Sequence, residues 1–88
     1  MIFPTLHLNG TSKGDLLEGW LKISHALNDA ITALCQEGPN GRDYYLAGPM
    51  GLHTAQREHE ARIAKVKEVK AEVDQIVEFI ADAEGGRP

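Results

Sequence analysis

The chain reads as an all-α protein: an antiparallel two-helix hairpin with an extended N-terminal arm, assembling into a helical bundle oligomer. Three observations predict this. Apolar residues recur at alternating steps of three and four along two stretches, a Gly/Pro-rich connection separates those stretches, and Pro4 with Asn9-Gly10 punctuates the opening segment. The 88 residues make one domain: arm 1–11, helix one about 12–37, loop 38–48, helix two about 49–83.

The arm carries Ile2, Phe3, Leu6 and Leu8, and Pro4 forbids helix continuation. Its apolar side chains need cover, either as a strand added to something or by lying across a helix. Thr11 or Ser12 can cap helix one, with Asp15 as a capping-box partner for Ser12. From there Leu16, Trp20, Ile23, Leu27, Ala30 and Leu34 form a heptad-like seam, widened by Leu17, Leu21, Ile31 and Cys35. Gly19, Ala26 and Ala33 recur on the flank and admit a second neighbouring helix. Gly38 and Pro39 end the element.

Helix two begins near Pro49, a residue suited to a first helical position. Its seam is Leu52, Ala55, His59, Arg62, Val66, Val69, Val73, Ile76, Ile80 and Ala83, broadened by Ile63 and Val77, and Glu84-Gly85-Gly86 ends it. Acidic residues in its last turns oppose the helix dipole, so packing must hold that end. Two such helices span roughly 39 and 52 Å and bury only part of each apolar face. A homo-oligomer follows, a dimer closing a four-helix bundle being the simplest case.

Composition excludes several classes. The single cysteine, Cys35, cannot form an internal disulfide and reads as a reduced, buried thiol of a reducing compartment. MIFPTLHL lacks the basic n-region of a signal peptide, and no apolar run is long enough for a bilayer. A net charge of −4 argues against broad, sequence-independent DNA binding. Charge is nevertheless segregated: residues 57–70 hold five basic against three acidic side chains, and residues 71–88 hold five acidic against one basic.

The stretch GRDYYLAGPMG at 41–51 concentrates recognition chemistry in what should be a plain connection. Arg42, Tyr44 and Tyr45 lie there, and His59 and Arg62 interrupt the seam of helix two at the same end. Structurally, Arg62 would pair with Asp43 or Glu58 and the tyrosines would close the bundle end. Functionally, Arg42, Tyr44, Tyr45, His59 and Arg62 would line a pocket between chains, the tyrosines stacking on a planar group and the arginines holding an anion. His7, His25, His53 and His59 lack the i, i+4 spacing of a helical metal pair, so no metal site is expected. No nucleophile motif or phosphate loop is present, and no catalytic residue or cofactor is expected. Ser24, His25 and Asn28 read as a solvated or subunit-bridging polar patch.

PTLHLNGTS at 4–12, PNGRDYY at 39–45 and EHEAR at 58–62 together resemble a group of short proteins from tailed bacteriophages and prophages. The resemblance covers nearly the whole chain, and PNGRDYY is its most specific element. It implies a viral origin and the host-cell cytoplasm, and brings no catalytic residues. The expectation is a non-enzymatic accessory protein of counter-defence type that sequesters a small anionic ligand, such as a cyclic or linear nucleotide immune signal, at its loop ends. A protein-binding inhibitor or adaptor of a host protein, and a purely structural assembly factor, remain open beside it.

Overall fold

The computed structural model describes residues 1–7 and 10–83. Along the chain come α1 (Lys13–Gln36), α2 (Gly41–Tyr44), a 3-10 turn (Tyr45–Ala47) and α3 (Gly51–Asp82). The described residues hold no strand, as an all-α class requires.

Three cross-contacts set the relation of α1 to α3. Lys13 Nζ donates to the carbonyl of Ala83 at 3.0 Å, Ser24 Oγ to Asp74 Oδ1 at 2.6 Å, and His59 Nε2 to the carbonyl of Leu34 at 2.6 Å. Positions climb along one helix as they descend along the other, so the two rods lie side by side in opposite directions. The result is a rod of 65 × 19 × 17 Å with a radius of gyration of 19.1 Å. A compact globule of this length would have a radius of about 12 Å.

Local signals explain the ends. Ser12 caps α1, its hydroxyl accepting from the amide of Asp15 at 3.2 Å. The helix stops at Gln36, before Gly38-Pro39, with the Glu37 amide on the Ala33 carbonyl. The last carbonyls of α1 lack partners of their own, and His59 satisfies one of them at Leu34. Lys13 does the same at the far end of α3, placing a cation where the acidic last turns leave the dipole unopposed. Glu84-Gly85-Gly86 lies outside the described residues. So does Asn9 of the first turn, although the Gly10 amide does reach the His7 carbonyl at 3.1 Å. The arm is fixed at Phe3, whose ring stacks on Phe79 at 4.8 Å between centroids.

The core is thin. Among the described residues, Ala55, Val73, Ile76 and Ile80 are the buried apolar ones, and only Ile80 is wholly enclosed. The inward stripe of α1 keeps Leu16, Trp20, Leu27 and Leu34 of the apolar seam and takes Ser24 and Ile31 in place of Ile23 and Ala30. Ser24 is buried, Ile31 is half-buried, and Ile23 and Ala30 are exposed. The reason is the partner across the interface: Asp74 takes the Ser24 hydroxyl, and Lys70 closes on the other carboxylate oxygen at 2.7 Å. Those bonds from Lys70 and from Ser24 hold the Asp74 carboxyl below the usual carboxylate range, against a weaker opposing push from burial. A hydroxyl with such a partner is stable inside, and Ile23 is turned toward solvent. Ser24 is therefore a core contact, not part of a solvated patch.

On α3 the seam from Leu52 to Ala83 faces inward except at Arg62 and Val69, which are exposed while their neighbours Ile63 and Lys70 are half-buried. Arg62 is thus not a seam residue. Cys35 is exposed as well, because it lies outside the stripe running through Leu27, Ile31 and Leu34.

Candidate functional site

The loop end is built from short, tightly anchored pieces. Asn40 caps α2 reciprocally with Asp43: its Oδ1 accepts from the Asp43 amide at 3.3 Å, and its Nδ2 donates to Asp43 Oδ2 at 3.0 Å. Residues 41–47 are therefore wound into a helical turn and a 3-10 turn, not an open loop. Gly48 then reverses the chain with φ of 95°, a left-handed conformation that favours glycine. Its carbonyl accepts from the Gly51 amide at 3.1 Å, and α3 starts at Gly51, two residues past Pro49. A Cβ on Gly51 would sit 2.5 Å from that of Ala47 and 3.3 Å from the Tyr44 carbonyl, so the turn presses directly on the first residue of α3.

The five candidate residues fall into two groups. On the turns, Arg42 is exposed, Tyr44 half-buried and Tyr45 73% exposed. On α3, His59 is half-buried and Arg62 exposed. These last two touch, Arg62 Nη1 lying 3.2 Å from His59 Nδ1. A carbonyl can only accept, so His59 Nε2 carries the proton given to Leu34 and Nδ1 offers its lone pair to the guanidinium. Both ring nitrogens are engaged. His59 works as a strut between the end of α1 and Arg62, and its ring also lies 3.6 Å from where a Gly38 side chain would begin. Asp43 is held by Asn40, and Arg62 bonds to His59, so the internal pairing differs from the one its sequence neighbours suggest.

Other residues join this end. Leu46 is 85% and Met50 61% exposed, and with Tyr45 they make an outward apolar tip. A shallow groove of about 510 Å³ runs from Met50 along α3, lined also by His53, Thr54, Arg57, Glu58 and Ala61. Leu46 and Met50 were legible as apolar residues in a connection with no helix to bury them. Arg57 and His53 carried no such mark.

Chemically, the end offers guanidinium groups, an exposed phenol and apolar surface. No three His, Cys, Asp or Glu side chains converge among the described residues. No described helix is long and apolar enough to cross a membrane. No family model, no curated protein and no solved structure matches this chain.

Proposed function

We propose that this chain is a non-enzymatic binding protein, a phage accessory factor of counter-defence type acting in the host cytoplasm. It assembles as a homo-oligomer of helical hairpins and sequesters a small anionic ligand of nucleotide class at its loop ends. The observation that carries the reading is that an exposed cation, Arg42, and an exposed ring, Tyr45, stand three positions apart on turns that begin at the Asn40–Asp43 bonds. Preorganised stacking and charge contacts lower the ordering cost of binding. In this reading Tyr45 stacks on a base, Tyr44 backs it, Arg42 and Arg62 contact phosphate, and His59 holds Arg62 in place.

A thermal-shift panel of cyclic and linear nucleotides tests it. A ligand at a hundred times its dissociation constant stabilises by about 2.7 kcal/mol, and Arg42→Ala or Tyr45→Ala removes that gain. No stabilisation by any nucleotide, with wild type and Arg42→Ala alike, overturns the reading.

A second reading rests on the tip of Tyr45, Leu46 and Met50, whose exposed apolar surface suits a protein partner better than a nucleotide. It expects capture of a host protein, lost in Leu46→Asp, with no nucleotide response.

A further inference from the structure

We infer that α3 carries a self-association face whose charge pattern sets an antiparallel, two-fold dimer. The inference rests on the homo-oligomer of the preceding reading and adds its orientation. Arg62, Lys65, Val69, Glu72 and Phe79 fall on one stripe of α3, at helical steps of three, four, three and seven residues. Val69 is 47% exposed, and Phe79, already under the Phe3 ring of the arm, is 43% exposed at the margin of the stripe. On α1, Ile23 is 43% exposed. Because α1 and α3 run oppositely, the positions just before Ser24 on one and Lys70 on the other emerge on the same side of the pair. Ile23 and Val69 thus share a face, opposite the Ser24–Asp74–Lys70 bonds.

The exposed area favours a cover of this kind. The chain exposes 6724 Å². A compact monomer of its mass would expose about 5,100 Å², so roughly 1,600 Å² is in excess, twice the roughly 800 Å² that a standard interface takes from each partner.

Charge selects the occupant and its direction. The loop-proximal half of α3, residues 57–70, has five basic against three acidic side chains, whereas residues 71–82 have four acidic and no basic ones. Two copies crossing antiparallel near Val69 bring Lys65 of each against Glu72 of the other. Parallel copies would set like against like. A second copy is therefore the complementary partner, and an isologous two-fold supplies both charge contacts at once. In such a dimer the two loop ends lie at opposite extremities, giving two separate ligand sites per dimer.

Sedimentation at low and high salt, with spin-label distances from Gln56→Cys in a Cys35→Ser background, tests orientation. Expected are a dimer that weakens as salt rises and a label separation of roughly 40 Å, from the rise along about thirteen residues on each side of the crossing. Lys65→Glu should weaken the dimer roughly tenfold, the exposed pair occurring twice. Adding Glu72→Lys should restore it. Circular dichroism confirms that both exposed substitutions leave the helices intact. A dimer tightened by salt, with labels within about 25 Å, overturns the antiparallel face and leaves the oligomer standing. A monomer under every condition overturns both, while the nucleotide panel decides ligand binding independently.

Discussion

Removing the Ser24 hydroxyl probes the polar contact at the buried centre of the α1–α3 interface. Ser24 is 7% exposed, and its Oγ donates to Asp74 Oδ1 at 2.6 Å. A hydrogen bond to a charged group contributes about 1.5–3 kcal/mol. The low end applies, because the Asp74 side chain is 41% exposed and keeps Lys70 at 2.7 Å. Alanine returns about 0.5 kcal/mol through helix propensity. Ser24→Ala should therefore cost about 1 kcal/mol, a fall in Tm of about 4–8 °C. Asp74→Ala should cost slightly more, since the orphaned hydroxyl can only turn back onto its own helix. A double-mutant cycle at pH 7 and fixed protein concentration should give a coupling of about 1 kcal/mol. The sign with pH follows from the carboxyl lying below its unfolded value. Its stabilisation is complete above the unfolded carboxylate range near 3.9 and fades as pH falls through the lower folded value. Wild type and Ser24→Ala should thus converge in acid. A neutral Ser24→Ala with zero coupling at pH 7 would refute the view that this bond sets the α1–α3 register.

Other outcomes are expected at the two ends of the rod. Gly51→Ala places a methyl 2.5 Å from the Ala47 Cβ and should destabilise by about 1–3 kcal/mol, read by chemical denaturation. His59→Phe strips the Leu34 carbonyl of its donor and should lower stability by about 1 kcal/mol, with faster amide exchange in the last turn of α1. Phe3→Ala loses the stack on Phe79, about 0.5–1.5 kcal/mol, and should raise exchange near the end of α3. Arg42→Ala, at an exposed site, should leave Tm within about 1 °C while abolishing any nucleotide response.

Element type and approximate limits were readable because both helices repeat their apolar steps over many turns, and because Ser12, Gly38 and Pro39 are strong boundary signals. The broad inward face of each helix was readable too, but the choice between neighbours at its margins was not. Ile23 and Ser24 are adjacent, and apolarity alone favours Ile23. The choice is reversed by Asp74, fifty positions away in the chain, and no local pattern reveals that pairing. Arg62 and Ile63 present the same ambiguity, resolved toward Ile63 by packing. At the loop end, the concentration of Arg42, Tyr44 and Tyr45 was visible. Its winding into two short turns was hidden, since it depends on the Asn40–Asp43 reciprocity and on Gly51 yielding space to Ala47. The outward projection of Leu46 and Met50 follows from that winding.

The bond from Lys13 to the Ala83 carbonyl has a consequence for handling the molecule. It ties the entry of the first rod to the exit of the last, so polypeptide attached before or after them departs from a common base. The tyrosine tip stands at the other end of α3, about 48 Å away at the rise of its 32 residues. A fluorophore, an affinity handle or an entire fused domain can be carried at that base while the tip stays free to sample its surroundings.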